Sequence, residues 1–170
     1  MDKLLKVLIV DDEVSQRTGL AGMVNAWGMS ADTASEGAEA LEKVAIFSPD
    51  VIVTDLNMPG MDGYQFLEKL QDLGDAPPTI VLTAFGNIEN GVRTVHELGA
   101  FWFLEKPVQS NVLQVLLRRA AAHNSLRTTN RALERQLGYK GSLGELVGTS
   151  PRMQEIFVLC NRPAPPTPAC

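Results

Sequence analysis

The sequence predicts an α/β protein, a doubly wound five-stranded parallel sheet followed by a long C-terminal helix. Three observations carry this expectation. Short apolar runs recur with helical stretches between them, the pattern of repeated βα units. The first run, Leu4 to Val10, is apolar at nearly every position instead of alternating, which suits a parallel strand buried on both faces. From Gln109 to about Leu137 no Gly or Pro interrupts a helical pattern.

Taken in order, the first strand stops at Asp11-Asp12-Glu13. Val14, Thr18, Leu20-Ala21, Val24 and Trp27 then recur at helical spacing, with Gly28 as a stop. Ala31 to Ala34 reads as a short edge strand. Ser35 is the expected N-cap of a helix carrying Ala38, Leu41, Val44 and Ala45 and closed by Ser48-Pro49. Val51-Ile52-Val53-Thr54 delivers Asp55 to a strand end, and Pro59-Gly60 turns the chain immediately afterwards. Asp62 begins a helix with Tyr64, Phe66-Leu67 and Leu70. The loop Gly74-Asp75-Ala76-Pro77-Pro78 leads into the strand Thr79-Ile80-Val81-Leu82, which ends at Thr83-Ala84. Ile88 to Leu98 is a helix with a thin apolar stripe, ended by Gly99. The last strand, Phe101 to Leu104, is followed by Glu105-Lys106-Pro107.

The long helix carries Val112, Leu113, Leu116 and Leu117 in its first turns, enough to dock on a sheet. Further along, Leu116, His123, Leu126, Asn130, Leu133 and Leu137 fall on a heptad seam, with His123 and Asn130 at a positions and Leu126 and Leu133 at d. Asn at an a position favours a parallel two-stranded register, whereas Arg119 on the same seam weakens it. A lone amphipathic linker helix fits the same residues. Gly138 to Gly144 is expected to be a flexible break, Ser150-Pro151 to open a further helix, and the proline-rich end from Arg162 to Pro168 to be disordered. The expected organisation is therefore a domain over residues 1–120, a helical linker with a potential coiled coil over 121–140, and the start of another module over 141–170.

The totals narrow the function. The chain has 170 residues, 45% hydrophobic and 21% charged, ordinary for a globular protein with a proper core. No run approaches a membrane span and no signal-peptide core is present, so the expected location is the cytoplasm. Cys160 and Cys170 form neither a disulfide framework nor metal-ligand spacing. Residues 1–107 hold 7 Lys/Arg against 17 Asp/Glu, while the remainder holds 8 against 3, inside a net charge of -5. The acidic part is a poor nucleic-acid binder, and the basic part has neither interleaved aromatics nor a recognisable binding motif. Direct nucleic-acid binding is therefore not expected.

The candidate site follows from where the strands end. In an open parallel sheet, ligands bind at the carboxyl edge of the strands. That edge would gather Asp11, Asp12, Asp55, Thr83 and Lys106. Three converging carboxylates repel one another unless a cation is present, and Mg2+ suits such a site because it takes few protein carboxylates and leaves room for phosphate oxygens. Asp55 would then be a nucleophile toward phosphorus, with Lys106 as a mobile charge for the incoming group and the Thr83 hydroxyl as a hydrogen-bond partner.

Leu8-Ile9-Val10-Asp11-Asp12-Glu13, Asp55-Leu56-Asn57-Met58-Pro59-Gly60-Met61-Asp62-Gly63, Leu82-Thr83-Ala84 and Glu105-Lys106-Pro107 together resemble the receiver domain of two-component response regulators over residues 5 to about 120. The resemblance implies the flavodoxin-like, CheY-like variant of the fold. It also implies a switch domain that is not an enzyme beyond slow self-dephosphorylation. In it Asp55 takes a phosphoryl group from the phosphohistidine of a sensor histidine kinase. Asp12 would ligate Mg2+ directly, Asp11 mainly through water, and the main-chain carbonyl of Asn57 would complete the protein ligands.

Thr83 and the aromatic Phe103, a position where Tyr is common, would form the switch, and Trp102 would offer a contact patch. Leu146-Val147-Gly148-Thr149-Ser150-Pro151-Arg152-Met153-Gln154 is similar to the opening of the sigma-54-dependent activator ATPase in NtrC-type regulators. Its phosphate loop does not occur before Cys170, so a truncated chain is expected. The implied partners are the kinase, downstream ATPase and DNA-binding domains, and a second copy paired through the receiver and the linker helix. The alternative is a haloacid-dehalogenase-like Mg2+-dependent phosphatase. That family resembles D-x-D after its first strand, where this chain has adjacent Asp11-Asp12.

Overall fold

The computed structural model describes the backbone of residues 4–83, 98–143 and 146–147. Five strands, β1 (Lys6–Val10), β2 (Ser30–Ala34), β3 (Val51–Asp55), β4 (Thr79–Thr83) and β5 (Trp102–Glu105), form one sheet in the order β2-β1-β3-β4-β5. Every neighbouring pair is parallel. Helices α1 (Val14–Ala26), α2 (Gly37–Phe47) and α3 (Gly63–Asp72) separate the first four strands, and α4 (Ser110–Gly141) follows the last. This is the doubly wound sheet with a long C-terminal helix that the sequence predicts.

Alternation along the strands sorts the core onto two faces, since successive side chains of a strand point oppositely. Val7, Ile9, Val51, Val53, Ile80 and Leu82 pack with Leu20 and Val24 of α1 and with Leu113, Leu117 and Ala120 of α4. Leu8, Val10, Ile52 and Val81 pack with Ala40 of α2 and Phe66, Leu67 and Leu70 of α3. Both residue sets must be apolar because helices cover both faces, hence the unbroken runs in β1 and β3.

Local signals operate largely as expected. Gly28 takes φ +75° after α1, and Gly99, also expected as a stop, takes φ +61°. The Asp62 carboxylate caps α3 by accepting from the Gln65 N–H at 2.8 Å. Ser35 behaves differently. The residue at the N-cap of α2 is Glu36, with no side-chain cap bond, while the Ser35 N–H and hydroxyl both donate to Glu39 Oε2 at 2.7 Å. Ser35 is one residue too early to cap but is well placed for a carboxylate in the first turn.

The expected helix from Ile88 lies, apart from Leu98, outside the described residues, as do Ala84, Cys160, Cys170 and the segment from Gly148 onward. The chain divides into two compact units, Met1–Ser125 and Leu126–Cys170. In the second, the expected break at Gly138 does not occur. The helix runs on to Gly141, and Ser142–Leu143 pairs antiparallel with Leu146–Val147. A single interior Gly costs a helix only about 1 kcal/mol, too little to end it.

Candidate functional site

The carboxyl edge of the sheet brings the predicted residues together. β1 runs into Asp11, whose N–H donates to the Ala34 carbonyl at 3.2 Å as a last rung toward β2. Asp11 is fully buried, and its Oδ1 accepts from the Glu13 N–H at 2.9 Å. β3 ends at Asp55, also buried, whose Oδ1 accepts from the Asn57 N–H at 3.2 Å. Asp12, exposed beside them, completes a trio whose carboxylate oxygens lie within 4.8 Å of one another.

Lys106 enters from β5. Its main-chain N–H donates to the Thr83 carbonyl at 2.8 Å, extending the β4–β5 ladder and fixing where the side chain starts. Its ammonium then reaches Asp55 Oδ2 at 2.6 Å and Asp11 Oδ2 at 3.1 Å. Burial alone would lower the Lys106 pKa, but the hydrogen bonds and charges of Asp55 and Asp11 outweigh it and the pKa is raised. The lysine is therefore a fixed cation at the site at any physiological pH. Thr83 is buried at the end of β4, in register with Glu105. Phe103 is partly buried against the core of the α2–α3 face, whereas Trp102 is half-exposed.

Two residues to which the sequence reading gave no role shape this edge. A Cβ on Gly63 would come within 2.7 Å of Leu56 Cα and closer still to the Asp55 carbonyl oxygen, so only glycine lets α3 start this close to the acid. Arg17 of α1 reaches back to donate to the main-chain carbonyls of Asp11 at 2.6 Å and Asp12 at 3.3 Å. No spacing rule signals such a contact.

The donor set fits a hard cation. It offers carboxylate oxygens only, without the His or Cys that a zinc site would use, on a partly open edge that leaves room for water or phosphate oxygen.

The doubly wound sheet of order 2-1-3-4-5 thus carries three acids and a lysine at its carboxyl edge, where open parallel sheets bind ligands. Residues 7–118 match the family model described as the response regulator receiver domain, and the chain belongs to that family. It is 31% identical to the DNA-binding transcriptional regulator NtrC of Escherichia coli K12, over 92% of this chain and 32% of that protein. It is 32% identical to the transcriptional regulatory protein ZraR of Escherichia coli O157:H7, over 90% of this chain and 33% of that one. The chain thus spans about a third of the length of these curated relatives. Among solved structures, NtrX from Brucella abortus in complex with ADP aligns over 92% of this chain and 33% of its own, at 27% identity and a TM-score of 0.71. A receiver domain protein from Clostridium thermocellum aligns over 72% and 98%, at 29% identity and a TM-score of 0.67.

The chain is accordingly a receiver of the two-component response regulator type, a class that acts as a switch rather than as an enzyme. The phosphatase alternative finds no support in these comparisons. Among the described residues no helix is long and apolar enough to cross a membrane.

Proposed function

We propose that Asp55 is the phosphoacceptor. A carboxylate oxygen of Asp55 attacks the phosphorus of a kinase phosphohistidine, an O–P bond forms as the N–P bond breaks, and the imidazole keeps the electron pair of the broken bond. The observation that carries this reading is the Lys106 ammonium lodged 2.6 Å from Asp55 and 3.1 Å from Asp11 at the carboxyl edge. It holds positive charge where the phosphoryl oxygens must arrive. Asp11, Asp12, Asp55 and the main-chain carbonyl of Asn57 would hold Mg2+, which when bound supplies charge to the phosphoryl oxygens and relieves the repulsion among the acids. The Thr83 hydroxyl accompanies the phosphoryl group, and Phe103, lacking a phenolic hydroxyl, follows by packing alone. Self-dephosphorylation is slow, so the state persists long enough to signal.

The output is regulation of a downstream ATPase and DNA-binding module in the cytoplasm, through pairing of two copies by the receiver and the α4 linker. Supporting this part is the similarity to regulators described as DNA-binding and transcriptional, together with the exposed Leu126 and Leu133 on the heptad seam. Intact mass after incubation with acetyl phosphate tests the acceptor reading. The chain should gain one phosphoryl group with Mg2+ and none with a chelator, and Asp55→Asn should gain none. An equal gain by Asp55→Asn would refute the assignment. Light scattering with and without an aspartyl-phosphate mimic tests the pairing, and a dimer indifferent to the mimic would remove the coupling.

A further inference from the structure

We infer that Arg17 is a positioning residue for the acidic pair. This rests on the reading of Asp11, Asp12 and Asp55 as the cation-holding acids and adds a residue that touches neither cation nor phosphate.

Arg17 sits in the first turn of α1, where a cation opposes the partial positive charge of the helix N-terminus. Helix stability therefore does not explain it. Its guanidinium turns back over that end and donates to the main-chain carbonyls of Asp11 and Asp12. Both bonds come from Nη1 at the end of the side chain, one bond further from Cα than a lysine ammonium reaches. The Glu13 N–H holds Asp11 Oδ1 from the other side at 2.9 Å, so the turn that aims both carboxylates is fixed at its side chain and its main chain together. Because Arg17 bonds the carbonyls, it occupies none of the carboxylate oxygens that a cation would use. Outer groups that orient metal ligands in this way typically carry a tenfold or greater effect on affinity.

Charge and positioning predict opposite signs, and this makes the inference testable. Removing a nearby positive charge should tighten cation binding, whereas releasing the turn should weaken it. Mg2+ affinity of the full chain is measured by isothermal titration calorimetry for wild type, Arg17→Met and Arg17→Lys, alongside the thermal unfolding midpoint without metal. Positioning predicts roughly tenfold weaker binding for Arg17→Met. It also predicts a loss for Arg17→Lys, despite its retained charge, because the ammonium ends one bond short of the place Nη1 occupies. Equal or tighter binding by Arg17→Met would overturn the inference, as would full rescue by Arg17→Lys. Should Arg17→Met lower the unfolding midpoint enough to leave a mixed population, Arg17→Lys decides alone, wild-type affinity again overturning the inference. Acetyl phosphate labelling of wild type, scored against Asp55→Asn, shows separately whether the acceptor reading holds, so the two failures are distinguishable.

Discussion

The two halves of α4 carry similar leucines and put them to different use. Leu113 and Leu117, early in the helix, are fully buried against the sheet. Leu126 and Leu133, further along the same helix, are 66% and 51% exposed. The change falls near Ser125, where the first compact unit ends and where Asn124 Nδ2 donates to the Asp50 carbonyl at 3.1 Å. Within that unit His123 also meets the Phe101 ring at 5.6 Å between centroids. An apolar stripe is thus a commitment to bury something, and only the first half of α4 meets it within the receiver.

The sharpest way to break this contrast is to shorten one leucine in each half. Leu117→Ala should cost about 2–5 kcal/mol of stability in a urea melt, since it leaves a cavity against the sheet. Leu126→Ala should stay within about 0.5 kcal/mol in dilute monomer. Equal losses would mean that the second half is packed as tightly as the first.

Lys106→Met comes next. It removes the cation shared by Asp11 and Asp55, and because the lysine is partly exposed the expected loss is about 2 kcal/mol, below the roughly 3–5 of a fully buried pair. Added Mg2+ should recover part of it by binding the folded state, and urea midpoints with and without Mg2+ check both parts. A smaller effect belongs to Asn124→Ala, which removes the bond from α4 to the Asp50 carbonyl. About 1 kcal/mol is expected in the same melt.

The smallest effect is acid-dependent. The Ser35 N–H, then the Lys43 ammonium and the Ser35 hydroxyl, hold the Glu39 pKa down to about 2 from 4.5. A carboxylate depressed in the folded state contributes stability above its unfolded pKa and loses it as pH falls toward the folded value. Wild type should therefore lose more stability than Glu39→Gln between pH 4.5 and about 2, by a modest amount because Glu39 is near the surface. Thermal melts across that window would show it, and parallel curves would refute it.

Much of this was legible in the sequence for identifiable reasons. Helices on both faces force Val7 to Val10 of β1 and Val51 to Val53 of β3 to be apolar, so those runs stood out, and with them the acids at their ends. The order of strands is not written in periodicity, and only the resemblance of the four motifs supplied it. Arg17 was missed because its contact is to main-chain carbonyls, which any residue type presents. Ser35 was misread because capping depends on a one-residue offset that composition does not fix. Gly63 lay inside a quoted motif, but its reason, the closeness of α3 to the Asp55 carbonyl, needed coordinates.

The account depends above all on which of three neighbouring acids receives phosphorus. Phosphorylation with acetyl phosphate and Mg2+, reductive trapping of the acyl phosphate with borohydride, and peptide sequencing by mass spectrometry would locate it directly. The prediction is a single modified position, 55, within the Val51–Met58 peptide. Modification at Asp11 or Asp12, or a mass gain that leaves Asp55 unmodified, would contradict it.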